Sequence, residues 1–194
     1  VIRRTDWKSR DQTSEIFANQ TDFTFDFNTA SLEHTFVPGI EYDHEYDVNY
    51  GRAAVGPASP KTEHVQPNPN DPYTDDIRHN GARAESTSDT VSLYAFDTIE
   101  ITEQWILSGG LRWDHFALDY KSVPADGSTN STVNLSRTDE MLSWRAGLVF
   151  KPLPNGSIYA SYGTSFNPSA EGLTLADTAT AINNVNLDPE ESRT

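Results

Sequence analysis

The sequence predicts an all-β fold: an antiparallel up-and-down transmembrane β-barrel, of which about six strands fall within these 194 residues. Three observations predict it. Hydrophobic side chains recur with a period of two, as in strands, rather than the period of about 3.6 that marks helices. The connections alternate between short and long, as happens when turns lie on one side of a membrane and loops on the other. Aromatic residues make up 11% of the chain and gather toward strand ends, where interfacial girdles form.

Each element follows from that period. Gln12 to Phe27 is the least regular strand, with Phe17, Phe23, Phe25 and Phe27 on one face, interrupted by Asn19 and Thr21. Leu32 to Asp43 sets Leu32, His34, Phe36, Ile40 and Tyr42 against Glu33, Thr35, Glu41 and Asp43. Pro38 has no N–H to donate, so a bulge or a gap in pairing is expected there. Val91, Leu93, Ala95, Ile99 and Ile101 form one face of the next strand, broken only by Asp97. Trp105 to Asp119 is the clearest case: Leu107, Leu111 and Trp113 alternate with Ser108, Arg112 and Asp114. Met141 to Phe150 repeats the pattern, and Ser157 to Asn167 reads as a strand with Tyr159 and Tyr162 on opposite faces. The short connections are Asn28 to Ser31, Thr102 to Gln104 and Pro152 to Gly156. The long polar loops are Asp47 to Ser88, Tyr120 to Glu140 and Pro168 to Glu191. Phe25, Phe27, Trp105, Phe116, Phe150 and Phe166 are the expected girdle residues.

Composition removes whole classes of function. The formal net charge of -15 argues against a nucleic-acid binder, which neutralises phosphates with Lys and Arg. The chain has no cysteine, hence no disulfide, no thiolate metal site and no Cys nucleophile. No run approaches the roughly 18 to 20 apolar residues of a membrane-spanning helix. Val1 to Asp6 carry no apolar signal core and no initiator Met, so an internal piece of a longer protein is expected.

Several segments then resemble one family. Arg10-Asp11-Gln12, Asn19-Gln20-Thr21-Asp22, Leu32-Glu33-His34-Thr35 and Gly39-Ile40-Glu41-Tyr42 look like successive barrel strands of TonB-dependent siderophore receptors, especially the catecholate-type branch. Ser92-Leu93-Tyr94-Ala95-Phe96-Asp97 resembles the family's Gly-x-Tyr-x-Gln-Asp strand, departing from it at Ser92 and Phe96. Gly109-Gly110-Leu111-Arg112-Trp113-Asp114 is similar to Gly-Gly-x-Arg-Tyr-Asp, and Leu142 to Leu148 and Tyr159 to Phe166 look like the next hairpin. Leu187 to Ser192 resembles the lead into a further strand. The resemblance implies a barrel of about 22 strands with residues 1–194 all in its wall, a plug domain inside it, and a TonB-contacting segment at the start of the receptor. It implies a bacterial outer-membrane transporter, not an enzyme. The implied partners are a ferric siderophore, the TonB-ExbB-ExbD complex, and outer-membrane lipid with lipopolysaccharide.

Loops on a rigid scaffold carry recognition, so binding is expected there. The candidate ligand contacts are Arg52, Tyr73, Arg78 and Arg83 in the longest loop and Tyr120 at a loop edge. No catalytic residue, resident metal or cofactor is expected. By parity Arg112, Asp114 and Arg145 point into the lumen, and Arg112, in mid-strand, reads as structural. Glu41, Asp43, Glu45 and Asp47 share one face; they could hold Ca²⁺, or face Arg or Lys of the plug or neighbouring strands. The five histidines lack metal-ligand spacing, and His34 and His115 fall on the lipid-facing side, in pairing or interfacial roles. Asp75-Asp76, Asp139-Glu140 and Glu190-Glu191 read as solvated loop charge. The sequons at Asn130, Asn134 and Asn155 read as turn chemistry. A soluble β-sandwich binding module, for carbohydrate for example, is the alternative from another class. An enzymatic barrel lacks any serine in a Gly-x-Ser-x-Gly context.

Overall fold

The computed structural model describes residues 9–56, 61, 64–68, 70, 76–169 and 187–194. Its strands are β1 (Gln12–Asp22), β2 (Phe25–Thr29), β3 (Leu32–Val55), β4 (Asp76–Thr102), β5 (Trp105–Val123), β6 (Val133–Leu153), β7 (Gly156–Asn167) and β8 (Glu190–Arg193). All pair antiparallel in one sheet in the order β1-β3-β4-β5-β6-β7-β8, with β2 also on β3, which is the up-and-down order that the alternation of turns and loops predicts.

β1 and β2 are a single wall strand. Their register against β3 runs through without a shift, from Asp22 opposite Gly39 to Phe25 opposite Phe36. The interruption at Phe23 and Thr24 faces Pro38. The Phe23 N–H donates to the Pro38 carbonyl at 3.0 Å, but Pro38 has no N–H to return the bond, so the ladder opens there as the sequence predicts. Counted this way, the described residues form seven wall strands rather than six, because Glu190–Arg193 pairs with Thr164–Asn167.

Two-residue turns close the short end. Ala30-Ser31 joins β2 to β3, with Ala30 at a φ of 58°. The Thr102 hydroxyl caps the β4–β5 turn, accepting the N–H of Gln104 (3.2 Å) and Trp105 (3.1 Å). Pro154-Asn155 joins β6 to β7.

At the opposite end the strands run well past the expected loop boundaries. β3 and β4 have 24 and 27 residues, and β5 and β6 have 19 and 21. A tilted strand needs only about 9 to 11 residues to cross the hydrocarbon. The loops expected at Asp47–Ser88 and Tyr120–Glu140 are therefore largely strand, with Asp47 paired to Ser86 and Tyr120 to Leu135. These extensions carry polar residues on both faces, so hydrophobic alternation cannot reveal them; their backbones still satisfy one another across the ladder.

Register assigns every side chain to a face. Phe25, Ile40, Leu93, Leu111, Leu142, Leu148 and Ile158 stand exposed on one side, an apolar belt over which none of the described residues packs. The register also resolves β7: Tyr162, opposite Ala146, belongs to the belt, and Tyr159, opposite Val149, to the other face. Aromatic pairs mark the belt, with Trp105 stacked on Phe150 (4.3 Å) and Phe27 on His34 (4.9 Å) beside the turns, and Phe17 near Tyr42 (6.2 Å) farther along. Phe116 is a correction: it lies on the polar face, 6% exposed, in a cluster with Ala84, Leu118, Tyr120 and Met141, and Phe166 packs against that cluster. Sequence parity already put Phe116 there; its aromatic character alone pointed to a girdle.

Candidate functional site

The polar face is organised by two arginines on neighbouring strands. Arg112 of β5 lies opposite Ser143 of β6, and Arg145 lies opposite Gly110, one inward position away. Each guanidinium sits over an aromatic ring of β4: Arg112 is 5.5 Å from the Tyr94 ring centre and Arg145 is 4.2 Å from that of Phe96. The two rings are 5.6 Å apart. Each leans over a glycine on an adjacent strand, Tyr94 over Gly39 of β3 and Phe96 over Gly110 of β5, where a Cβ would collide with the ring.

Arg112 is engaged through all three of its nitrogens. It donates to Glu41 (2.9 Å), Asp114 (2.8 Å) and the Ser92 hydroxyl (2.7 Å), and Ser92, wholly buried, donates on to Asp114 at 2.6 Å. Tyr94 extends the network by donating to Asp22 while accepting from Gln20 at 2.8 Å. The chain of contacts thus binds β1, β3, β4 and β5, and charge-assisted bonds of this kind are the strong ones. It bears out a structural role for Arg112. It also gives Glu41 an arginine of a neighbouring strand. Among the described residues, no three His, Asp or Glu side chains converge to hold a metal ion.

Arg145 is open. Among the described residues it makes no hydrogen bond or ion pair; its one contact of this kind is the Phe96 face. Around it the polar face carries Ser108 and Gly110 of β5, Gly147 of β6, and Ser161 and Gly163 of β7.

Four of the candidate ligand residues, Arg52, Arg78, Arg83 and Tyr120, lie beyond these, on strand extensions rather than in a loop. Arg52 donates to the Ile77 carbonyl at 3.2 Å, Arg78 pairs with Asp76 at 2.7 Å, and Arg83 pairs with Glu85 while resting on Tyr50. Arg52 and Arg83 line a shared cavity of about 380 Å³ with Arg10, Asn49 and Asn80. Arg78 is outside that lining. Tyr120 is 3% exposed within the Phe116 cluster, and Tyr73 lies outside the described residues.

Asp139, expected as solvated loop charge, is instead on β6, 4% exposed, bound by Arg137 at 2.6 Å and by Ser169; Asp76, Glu140 and Glu190-Glu191 are also on strands. Asp75 lies outside the described residues. His34 joins Asp97 at 2.8 Å on the belt side, which accounts for the acidic break in β4's apolar face, and His115 approaches Glu140 at 3.7 Å. Sequence reading missed Phe96 and Tyr94 as platforms. Their signal was a large aromatic set against a glycine across the ladder, which is invisible without the register.

Residues 2–194 match the family described as TonB dependent receptor-like, beta-barrel. The chain is 38% identical over 174 residues to the probable TonB-dependent receptor BfrD of Bordetella pertussis, a match covering 82% of this chain and 23% of that protein. Its fold is similar to the crystal structure of the ferric-catecholate import receptor Fiu of Escherichia coli K12, with TM-score 0.78 and 27% identity, over 95% of this chain and 28% of that one. It is also similar to the siderophore receptor PiuA of Acinetobacter baumannii, with TM-score 0.75 and 28% identity, over 94% and 28% of the two chains. The chain thus spans about a quarter of the length of the relatives it matches.

Proposed function

The chain belongs to the TonB-dependent receptor β-barrel family, and from that premise we propose that it forms part of the wall of a bacterial outer-membrane receptor that imports ferric siderophores. Residues 1–194 are barrel wall throughout, in a barrel of about 22 strands closed around a plug domain. The apolar belt faces lipid, with lipopolysaccharide around its outer end, and the polar face lines the lumen. Energy arrives through the TonB-ExbB-ExbD complex and acts on the plug; the chain has no catalytic part.

One observation carries this reading: a single up-and-down sheet is apolar on one face and charged on the other, with short turns at one end and long strand extensions at the other. A soluble sandwich would cover its apolar face with a second sheet, whereas here Leu93, Leu111 and Leu142 stand bare. The similarity to a ferric-catecholate receptor and a siderophore receptor supports an iron chelate as cargo. The first ligand contacts belong to the extensions. Arg52, Tyr73, Arg78, Arg83 and Tyr120 remain the candidates, with Arg52 and Arg83 foremost because they line the same cavity. An anionic chelate approaching an acidic protein needs such local positive sites.

The test is growth of an iron-starved strain deleted for the full receptor on a panel of purified siderophores. Loss of growth on one or more catecholate chelates, restored by the receptor gene, is the expected result. Unchanged growth on every chelate would refute the uptake reading.

A further inference from the structure

We propose that Arg145, seated on Phe96, is an open oxyanion-binding step in the lumen wall, which receives the negatively charged oxygens of a ferric chelate in passage. The inference rests on the uptake reading above and adds a site at the level of the membrane-spanning belt, away from the Arg52 and Arg83 cavity.

The geometry separates Arg145 from every other arginine whose partners are seen. Arg112, Arg78, Arg83, Arg137 and Arg193 each hold a carboxylate, and Arg52 holds a carbonyl. Among the described residues Arg145 holds neither, although acidic residues outnumber basic ones 29 to 14 in the chain. Phe96 fixes one face of the guanidinium through the cation–π contact at 4.2 Å, and Gly110 makes room for that ring. The N–H fork is therefore oriented but unused. A planar guanidinium donates two parallel bonds to neighbouring oxygens, and an arginine already resting on an aromatic loses little freedom in doing so.

The surroundings suit a bulky anion that moves. Ser108, Gly147, Ser161 and Gly163 leave a low floor beside Arg145, and β7 contains no charged residue at all. Asp114 and Asp139, on the same face of β5 and β6, are held by Arg112 and Arg137, whereas on β1 and β3 Asp22, Asp43, Glu45 and Asp47 share the lumen face. Those carboxylates favour a cationic surface on whatever protein segment fills the lumen, so a carboxylate of that segment is the less suitable partner for Arg145. They also repel an anionic chelate and leave the β5–β7 side as its path.

The test uses the full-length receptor in a deletion strain, with the radioiron complex of 2,3-dihydroxybenzoate, an anionic ferric catecholate, as probe. Surface binding to energy-depleted cells and uptake by energised cells are measured for wild type, Arg145→Ala, Arg145→Glu and Arg145→Lys, at matched amounts of heat-modifiable receptor. Binding stays within about twofold of wild type, while uptake falls about tenfold in Arg145→Ala, further in Arg145→Glu and least in Arg145→Lys. Wild-type uptake rates in Arg145→Ala and Arg145→Glu overturn the proposal. So does new vancomycin sensitivity in those cells, which marks Arg145 as a clamp on an inner segment. If the wild-type receptor neither binds nor imports any chelate of the growth panel, the uptake reading fails and the site falls with it; that outcome is distinct from unchanged uptake by the variants alone.

Discussion

Arg112 and Arg145 stand one ladder step apart on the same face, each over an aromatic ring that leans across a glycine, yet one is engaged and the other open. Arg112 ties β3, β4 and β5 together through Glu41, Ser92 and Asp114. Among the described residues Arg145 ties nothing but Phe96. Side chains of the same type in equivalent frames therefore do different things according to what the neighbouring strand supplies opposite them. Where carboxylates are present the arginine is wall architecture, and where small residues stand it is free to meet a ligand.

The contrast breaks most visibly by truncation at the engaged site. Arg112→Ala leaves Glu41 and Asp114 partly buried without their cation and should destabilise the full receptor by about 2 to 3 kcal/mol. Arg145→Ala removes one cation–π contact at an exposed site and should cost less than about 1 kcal/mol. Urea unfolding of both variants in lipid vesicles reads the difference directly. Equal losses would erase the distinction between the two arginines.

The platforms sharpen it at intermediate size. Gly39→Ala and Gly110→Ala push a methyl into the Tyr94 and Phe96 rings and should each cost about 1 to 3 kcal/mol through forced repacking. Their consequences then diverge. Gly39→Ala should leave uptake per folded receptor unchanged, because Tyr94 serves the wall, whereas Gly110→Ala should slow uptake by tilting the Arg145 platform. Uptake per receptor after each substitution is the measurement, and equal slowing in both would merge the two steps.

Much of this was legible from residues alone. The period of two placed Arg112, Asp114 and Arg145 on one face and Leu111, Trp113 and Trp144 on the other, because the pleat leaves no freedom in parity. Pro38 announced the gap opposite Phe23, because a missing N–H must show somewhere on the ladder. The strand extensions were not legible: around Arg83 to Ser88 both faces are polar, so only pairing identifies the strand. For the same reason Arg52, Arg78 and Arg83 read as loop residues. Nor was the division of labour between the arginines, since Phe96 and Arg145 meet only across β5. The two departures from the family pattern, Ser92 and Phe96, are the residues that complete the closed network and support the open arginine.

In the proposed wall one face meets lipid and the other an aqueous lumen, and spin labels along β5 of the full receptor in vesicles test that most directly. Labels are introduced one at a time from Leu107 to Asp114, and collisions with lipid-soluble oxygen are compared with those of a water-soluble nickel complex. Oxygen contact should peak at positions 107, 109, 111 and 113 and fall at 108, 110, 112 and 114, with a period of two. A flat profile, or the nickel complex reaching Leu111 as readily as Ser108, would contradict a membrane-spanning wall.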